Sequence, residues 1–266
     1  MGKEFLTFKT SSPAGDLISI LPAVKRAYEK TGKPCIIYQR LNMIGGGYNG
    51  AIHPYKDEEG NDVCMPESVF NMMRPLLISQ PYIEDFIVFE GQEHIYDVDK
   101  IRLETFTNQP QGLINRWIFY AFPDLACDLS KAWLNAPRET SYENKIIVNF
   151  TERYRNNFVN YFFLRKYEKD IIFAGLPNEH EMFCTQWKLN VPLLKVDNFY
   201  ELAQAINSCK FFLGNASMCF QIAEALKVPR ILETFQLMPN VIPIGEKAYD
   251  FYGQQGLEFY VHDLFN

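Results

Sequence analysis

The chain opens with a strand-like run, a polar turn and a helical pattern, and this order limits the folds open to it. Residues 4–9 alternate in polarity as a buried strand does, and a polar turn follows over residues 10–16. The helical pattern carries an apolar stripe made of Leu17, Leu21, Val24 and Tyr28. Gly32 predicts the end of this helix, and residues 35–38 predict a second strand. This β–turn–α–β order is the unit from which parallel sheets are built.

The same alternation of strands and helices continues along the chain. In the first half, helices are predicted at residues 66–77 and 113–122, and a strand at 86–89. In the second half, strands are predicted at residues 145–150, 170–174, 211–213 and 228–232, with helical stripes after Phe199 and Phe220. Residues 40–64 are polar and Gly-rich, which predicts a long loop. We therefore predict an α/β protein with one domain over residues 1–140 and another over 141–266.

Composition excludes several classes of protein. The chain has 266 residues, which fits one large α/β domain or two Rossmann-like halves. Its net charge is −6 and no basic run occurs, so a nucleic-acid partner is not expected. No stretch approaches the roughly 20 apolar residues of a transmembrane helix. The six cysteines form no CxxC pair, which favours buried thiols in a reducing cytoplasm over disulfides or a metal site.

Several common catalytic motifs are missing from the sequence. No G-x-G-x-x-G follows the first strand, and the chain has no Walker P-loop, G-x-S-x-G elbow or H-E-x-x-H motif. The four histidines are scattered along the sequence. An unrelated Rossmann-type enzyme, such as a dehydrogenase, therefore stays only as a lesser alternative.

The first turn is the first candidate site. It contains Lys9, Ser11, Ser12, Gly15 and Asp16. Gly15 allows a ligand to approach the backbone closely, and hydroxyls beside a helix N-terminus suit an anion or a sugar. An aspartate at the start of a helix most often caps it, which contributes about 1 kcal/mol. Capping and catalysis by Asp16 both stay open at this point.

Turns after the strands of the second half supply further candidates. Gly214, Asn215 and Ser217 come just before a helix, whose N-terminal N–H groups can bind a diphosphate. Glu179 follows Gly175 and is placed either to accept hydrogen bonds from ribose hydroxyls or to lie solvated in a loop.

The polar turn over residues 151–153 follows the first strand of the second half. Arg153 and Arg155 are either a phosphate clamp or ordinary surface arginines in this turn.

Three ordered motifs resemble glycosyltransferase family 9, the bacterial ADP-heptose–lipopolysaccharide heptosyltransferases and their relatives. Residues 8–23 are similar to the family pattern K-T-S-x-G-D-x-x-x-x-L-P-A, with one additional residue before Gly15. Gly175 with Glu179 looks like the family's G-x-x-x-E. Residues 215–229 are similar to its N-D-[ST]-G-x-x-H-x-A-x-A-x-x-x-P.

The resemblance implies a GT-B architecture, with two Rossmann-like domains whose parallel sheets face each other across a cleft. It implies inverting sugar transfer from a nucleotide-diphosphate donor to a glycan or other hydroxyl acceptor, with no metal or cofactor and with Asp16 as general base. The acceptor side would include Lys9, Ser11, Ser12 and Gly15. The donor side would include Thr151, Arg153, Gly175, Glu179, Gly214, Asn215, Ser217 and Gln221.

The third motif departs from the family at three positions. Where the family has Asp, Gly and His, this chain has Ala216, Met218 and Gln221. Met218 crowds a position of close approach, and Gln221 donates a hydrogen bond but carries no charge. These changes favour a nucleotide sugar other than ADP-heptose. They also leave an alternative function, a glycan- or nucleotide-binding relative with weak or no catalysis.

Overall fold

A computed structural model describes residues 4–44, 55–107, 113–237 and 240–266. The chain divides into two compact units. The first comprises Met1–Leu129 with Asn198–Tyr200, and the second comprises Ser130–Asp197 with Glu201–Asn266.

The first unit is built on a parallel sheet with the strand order β5-β2-β1-β6. Its strands and helices are β1 (Leu6–Thr10), α1 (Ala14–Thr31), β2 (Cys35–Gln39), β3 (Met43–Ile44), β4 (Val63–Cys64), α2 (Glu67–Ile78), β5 (Ile83–Val88), β6 (Tyr96–Asp97), α3 (Glu104–Thr107) and α4 (Ile114–Ala121). Strands β3 and β4 pair separately as an antiparallel ribbon. Short 3₁₀ helices span Val98–Arg102 and Pro123–Leu125.

The second unit has a five-stranded parallel sheet with the order β11-β10-β9-β7-β8. Its elements are β7 (Ile146–Asn149), β8 (Ile171–Phe173), α5 (Pro177–Trp187), α6 (Phe199–Ser208), β9 (Phe211–Asn215), α7 (Met218–Leu226), β10 (Arg230–Glu233), β11 (Ala248–Phe251) and α8 (Gln254–Phe265). The 3₁₀ helices of this part span Thr140–Tyr142 and Phe162–Asp170.

Each sheet contains a topological switch point, where the chain changes the direction in which it adds strands. In the first unit the chain adds β2 and β5 on one side of β1 and β6 on the other. In the second it adds β8 on one side of β7 and β9 on the other. Open α/β proteins bind ligands at the carboxyl ends of the strands flanking such a point. The switch points therefore lie between β1 and β6 and between β7 and β9.

The strands are apolar because both faces of these sheets are covered. Ile146, Ile147 and Val148 of β7 have no exposed surface, and Phe8 of β1 is equally buried. Parallel strands buried on both faces have continuous apolar runs, which explains why the sequence pattern located most of them. Strand β6 and the 3₁₀ helix after it were missed, because a two-residue strand has no measurable period.

The division between the units lies before the boundary predicted at residue 140. The Trp133 and Leu134 N–H groups donate to the carbonyl of Ala225 in α7, at 3.0 and 3.2 Å. Asn207 Nδ2 donates to the carbonyl of Ala136 at 2.7 Å, and Ser208 Oγ accepts from Glu139 N–H at 2.6 Å. These bonds and the burial of Trp133 attach residues 130–139 to the second unit.

The predicted loop over residues 40–64 contains β3 and β4 at its two ends, while residues 45–54 lie outside the described part. Across the described ranges, no helix combines the length and apolar character that crossing a membrane requires. Cys35, Cys209 and Cys219 are buried, as expected for thiols in apolar runs, and burial raises the pKa of each to about 12.

Candidate functional site

A charged network lies where β1 and β6 end side by side. Lys9 pairs in register with Asp97, and its ammonium contacts Asp97 Oδ1 at 3.1 Å and Asp99 Oδ2 at 2.6 Å. The other oxygen of Asp99 accepts bonds from both the backbone N–H and the hydroxyl of Ser11, each at 2.7 Å. Asp99 therefore attaches the turn before α1 to the 3₁₀ helix after β6.

The ionisation of this network reflects its pairing. Burial raises the pKa of Asp99, but its bonds with Lys9 and Ser11 lower that pKa further, so it lies below the ordinary value. Burial lowers the pKa of Lys9, but Asp99 and Asp97 raise it above its ordinary value. Both groups are therefore charged at neutral pH, and they stabilise each other.

Asp16 lies in the first turn of α1, and its carboxylate forms an ion pair with Arg102. The N-cap of α1 is Pro13, so the capping interpretation of Asp16 is wrong. Burial lowers the pKa of Arg102, but Asp16 and then Asp99 outweigh this effect and raise it. Asp16 is 23% exposed and Arg102 is 38% exposed, so a ligand can reach the pair.

The remaining acceptor-side candidates serve the turn itself. The hydroxyl of Ser12 accepts a hydrogen bond from Thr10 Oγ1 at 2.9 Å and is buried. The carbonyl of Gly15 accepts from Ser19 Oγ at 3.0 Å. Gln39 Nε2 donates to the carbonyl of Ser12 at 3.2 Å, while the buried Gln39 Oε1 has no hydrogen-bond partner in the part of the chain that the structure describes. The polar groups of this turn thus fix its shape, and its partly exposed Asp16 pairs with Arg102 of the 3₁₀ helix after β6.

Sequence reasoning missed Asp97, Asp99 and Arg102. They are remote in sequence from the first turn, and neither β6 nor the 3₁₀ helix gives a periodic signal. Only the pairing of β6 with β1 brings them to Lys9 and Asp16.

In the second unit, the backbones of β7 and β9 approach each other closely at their carboxyl ends. Asn149 and Gly214 are partners in the register of β7 and β9. A Cβ atom on Gly214 would lie 2.5 Å from the carbonyl oxygen of Asn149, a distance that real side chains essentially never show. Gly214 and Asn215 were predicted in a turn, but both belong to β9. Gly214 is thus required by strand packing.

Asn215 holds the turn that follows β7. Its Oδ1 accepts from Thr151 N–H at 3.0 Å, and its Nδ2 donates to the carbonyls of Thr151, at 3.1 Å, and Arg153. Asn215 has no exposed surface. The side chain predicted to bind donor is therefore occupied by the protein, and Thr151, also buried, belongs to the same set of bonds.

Glu179 is buried at the start of α5. Its Oε2 accepts a hydrogen bond at 3.0 Å from the N–H of Leu176, the N-cap residue, so the solvated-loop interpretation is wrong. Burial raises the pKa of Glu179 above its ordinary value, while Leu176 N–H and the charge of Arg153 act against this. Its charge also helps to raise the pKa of Cys219 in the first turn of α7. The charge of Glu179 therefore interacts with Arg153 and with Cys219 at the beginning of α7.

Gly175 allows this arrangement. A Cβ atom there would lie 2.8 Å from the Phe173 ring and 3.0 Å from both Asn149 Nδ2 and Glu179 Oε2. The amide of Asn149 donates to the Ala174 carbonyl at 2.6 Å, and within the described ranges its Oδ1 has no hydrogen-bond partner.

Helix α7 begins at the same edge of the sheet. Ser217 is its N-cap, and its hydroxyl accepts from Phe220 N–H at 3.1 Å. A side-chain cap uses one first-turn N–H group, so such a helix start still suits an anion. Gln221, in the first turn and 4% exposed, has an Oε1 atom with no hydrogen-bond partner among the described residues. This helix start therefore combines an anion-binding dipole with an unused acceptor.

The two candidate arginines behave differently. Arg153 is partly exposed, with its guanidinium 5.6 Å from the centre of the Tyr154 ring. Arg155 turns inward, where its Nε lies 3.2 Å from Glu233 Oε1 and its guanidinium 4.9 Å from the centre of the Phe150 ring. The arginine pair predicted as a phosphate clamp is therefore reduced to Arg153. Sequence reasoning also missed Glu233, which is fully buried at the end of β10.

In each unit, the candidate site residues thus lie at one edge of the sheet, where the strands end. Among the side chains of the described ranges, no group of three or more His, Cys, Asp or Glu could hold a metal ion.

The chain matches solved structures along nearly its whole length, although its sequence matches no protein-family model and no curated protein. The E. coli heptosyltransferase WaaC with ADP has a TM-score of 0.64 at 10% identity, over 98% of this chain and 100% of that one. The E. coli ADP-heptose lps heptosyltransferase II has a TM-score of 0.58 at 15% identity, over 98% of both chains. A glycosyl transferase family 9 protein from Veillonella parvula has a TM-score of 0.51 at 10% identity, over 98% of this chain and 88% of that one. The chain therefore has a heptosyltransferase-like fold of the GT-B class, which confirms the predicted fold class.

Proposed function

We propose that this chain is a glycosyltransferase that moves a sugar from a nucleotide-diphosphate donor to a hydroxyl of a glycan or another acceptor. The transfer inverts the anomeric centre and uses no metal ion or cofactor. One observation carries the proposal: each group of candidate residues lies at the switch point of its own parallel sheet, where open α/β proteins bind ligands.

The second unit supports the donor half of this proposal. A diphosphate needs positive potential, and the start of α7 and the guanidinium of Arg153 both supply it in the second unit. The buried Glu179 carboxyl and Gln221 Oε1, which has no hydrogen-bond partner among the described residues, are acceptors for donor hydroxyl groups. The same positive groups stabilise the diphosphate as it leaves.

The first unit supports the acceptor half. Asp16 takes the proton of the acceptor hydroxyl, the oxygen forms its bond to the anomeric carbon, and the bond from that carbon to the diphosphate breaks. Attack on the face opposite the leaving group inverts the centre. Lys9, Ser11 and Ser12 contribute indirectly, because their polar groups hold the turn before Asp16. Arg102 holds the Asp16 carboxylate in the free protein.

The first experiment measures nucleotide binding by thermal shift with ADP, GDP, UDP and CDP. A ligand at 100 times its dissociation constant adds about 2.7 kcal/mol to the free energy of unfolding. We expect one of the four to raise the melting temperature of the wild-type protein, and Arg153→Gln to weaken this effect. Lys30→Gln, in an exposed ion pair of the first unit, is the control that should leave it unchanged. No shift with any of the four contradicts the proposal.

The second experiment measures turnover. Release of the nucleoside diphosphate is followed from a panel of nucleotide sugars, with and without hydroxyl acceptors and with and without EDTA. We expect release to require an acceptor and to survive EDTA. Loss of activity on chelation that Mg²⁺ or another divalent ion restores would show that the metal-free part of the proposal is wrong.

The departures in the third motif favour a second candidate, a glycan- or nucleotide-binding protein that does not transfer sugar. Gln221 is neutral where the family has His. The carboxylate of Asp16 forms an ion pair with Arg102. This candidate predicts a thermal shift with a nucleotide but neither transfer nor donor hydrolysis. Turnover by the purified wild-type protein that Asp16→Asn abolishes excludes it.

A further inference from the structure

Two neighbouring strand ends hold the same loop of the second unit. Asn215 ends β9 and Glu233 ends β10, and the two residues are partners in the strand register. The loop runs from Thr151 to Asn156 and begins two residues after the end of β7. We call it the 151–156 loop. It carries Arg153, the candidate diphosphate-binding cation.

Asn215 fixes the beginning of the 151–156 loop. Its amide exchanges hydrogen bonds with the backbone of Thr151, at 3.0 Å to the N–H and 3.1 Å to the carbonyl. It also donates to the carbonyl of Arg153. The hydroxyl of Thr151 adds a bond of 3.2 Å to the same carbonyl. The backbone of Arg153 is therefore held from the end of β9.

Glu233 fixes the end of the 151–156 loop. Its Oε1 accepts from Asn156 N–H and pairs with Arg155 at 3.2 Å, and its Oε2 accepts from the hydroxyl of Tyr161. Asn156 continues the attachment through Nδ2, which donates to the Tyr252 carbonyl at 2.6 Å. Complete burial of a carboxylate is unfavourable unless the carboxylate is paired and hydrogen-bonded. Glu233 is fully buried, so the bonds that fix the loop also stabilise the Glu233 carboxylate.

The backbone between the two anchors is constrained. Tyr154, which follows Arg153, has φ 57°, in the left-handed region that non-glycine residues adopt at a cost. Such a conformation persists where the surrounding structure holds it. Here Asn215 holds the residue before Tyr154, and Glu233 holds the residue after it. The direction in which Arg153 leaves the backbone thus depends on both anchors.

We infer that Glu233 and Asn215 are positioning residues that aim Arg153 at the diphosphate of the donor. The inference rests on the proposed function, since it gives Arg153 its ligand. Neither anchor touches the donor: Asn215 and Glu233 are both fully buried and use their polar atoms on the loop. A rigid cation loses less entropy on binding than a mobile one, and this raises affinity for the diphosphate.

The test compares Glu233→Gln with Glu224→Gln, a matched control in the same unit. Glu224 is also a buried carboxylate with cationic partners, Arg230 and Lys227, but none of its bonds reaches the 151–156 loop. Both substitutions remove a buried negative charge and are expected to lower the free energy of unfolding. Only Glu233→Gln should release the loop. All measurements are made on the full chain, well below the melting temperature of each variant.

Limited trypsin digestion reports on the loop without any ligand. Trypsin cleaves after arginine, so Arg153 and Arg155 mark the loop itself. Loss of one charged hydrogen-bonding partner corresponds to about tenfold or more in the opening equilibrium. We therefore expect cleavage after Arg153 or Arg155 to be about tenfold faster in Glu233→Gln than in wild type or Glu224→Gln. Equal rates in all three proteins, or equal acceleration in both variants, would overturn the inference.

Nucleotide binding then tests whether Glu233 acts through the position of Arg153. The probe is whichever of ADP, GDP, UDP and CDP stabilises the wild-type protein most, and its affinity is measured by calorimetry. We expect Glu233→Gln to weaken binding about tenfold in the wild-type background and to have no effect in the Arg153→Gln background. An equal loss in both backgrounds shows that Glu233 acts through something other than Arg153 and overturns the inference.

Failure of this inference and failure of the proposed function give different results. If none of the four nucleotides binds the wild-type protein, the proposed function and the assignment of Arg153 both fall, whatever the trypsin rates show. If a nucleotide binds and Glu233→Gln binds it as tightly as wild type, only the positioning role falls. Should Glu233→Gln not fold, Tyr161→Phe, which removes one bond to Glu233, takes its place with an expected effect of about threefold in both assays.

Discussion

The two sheets have similar topological switch points, but the residues that lie at these points differ in chemistry. At the first, between β1 and β6, the residues in contact are charged: Lys9 with Asp97 and Asp99, and Asp16 with Arg102. At the second, between β7 and β9, the contacts are made by a glycine, an amide and a helix start. The first edge therefore carries partly exposed charged pairs, and the second offers closely approaching strands and a helix N-terminus.

This difference fits a division of labour between the units. A proton acceptor has to be a side chain with an available lone pair, and Asp16 is a partly exposed carboxylate of the first network. A diphosphate is recognised well by backbone N–H groups, a helix dipole and one fixed cation. The carboxylates of the second edge have structural roles, because Glu179 caps α5 and Glu233 holds the 151–156 loop. The following predictions test this contrast in order of expected effect.

The largest effect is expected from Asp16→Asn, which removes the proposed base. Turnover should fall by about 10²- to 10⁴-fold, the usual contribution of general base catalysis, while nucleotide affinity stays within about twofold of wild type. The control is Arg102→Gln, which breaks the same ion pair but keeps the carboxylate. If both variants lose activity equally, Asp16 acts by holding Arg102 and the first edge carries no base.

Gly214→Ala should disrupt the second edge through packing alone. The new Cβ would meet the Asn149 carbonyl at 2.5 Å, so β7 and β9 must separate, which costs about 3 kcal/mol in the free energy of unfolding. Urea denaturation measures the change. The matched control is Gly256→Ala in α8, where the nearest atom is 3.6 Å away and the helix should gain about 0.5–1 kcal/mol. A stable Gly214→Ala protein contradicts the close approach.

Asp99→Asn should weaken the first edge through charge. It removes the ionic partner of Lys9 and should lower the free energy of unfolding by about 2 kcal/mol at neutral pH. Asp124→Asn is the control, because its pair with Lys30 is 3.3 Å long but exposed, and its loss should cost at most about 0.5 kcal/mol. Equal losses would mean that burial adds nothing to the Lys9–Asp99 pair.

The stability difference between wild type and Asp99→Asn is expected to depend on pH. Because the pKa of Asp99 is lowered by folding, its contribution is present above the unfolded value of about 3.9 and is lost as pH falls through the folded value. The stability gap between wild type and Asp99→Asn should therefore be full at about pH 7 and close below about pH 4. Lys9 has a raised pKa, so its contribution is present below about pH 10.4 and is lost as pH rises through the folded value. A gap that is constant with pH contradicts this assignment.

Ser217→Ala should have the smallest of these effects. Loss of the bond to Phe220 N–H costs about 1 kcal/mol in the free energy of unfolding. Nucleotide affinity should change little, because the anion uses first-turn N–H groups other than the capped one. Ser68→Ala, at an exposed position in α2, is the control and should change stability by less than about 0.5 kcal/mol. If Ser217→Ala abolishes nucleotide binding while the protein stays folded, its hydroxyl contacts the ligand directly.

How much of the fold the sequence predicted depends on the length of each element. The buried strands β1, β2 and β7 and the helices α1 and α7 were found because four or more residues follow one polarity pattern or are mostly apolar. Strand β6 has two residues, and its partner β1 lies about 90 residues earlier, so no local pattern could show it. The residues missed in the first edge are those of β6 and the following 3₁₀ helix.

For the candidate site, the sequence predicted which residues gather but not what most of them do. Gly175, Glu179, Gly214 and Asn215 were all chosen as donor-binding residues, and all lie at the carboxyl edge of the second sheet. The two glycines allow close packing, Glu179 caps α5, and Asn215 holds the 151–156 loop. A hydrogen-bonding partner is fixed by three-dimensional neighbours, which spacing along the chain does not encode.

The sequence by itself therefore determined the alternation of most strands and helices, because hydrophobic periodicity is local, and its resemblance to glycosyltransferase family 9 implied the GT-B fold class. The tertiary structure decided which charges meet: Asp16 with Arg102, Lys9 with Asp99, and Glu233 with Arg155. These pairs join residues about 80 to 90 positions apart, and their attraction acts only after the sheets have brought them within a few ångströms.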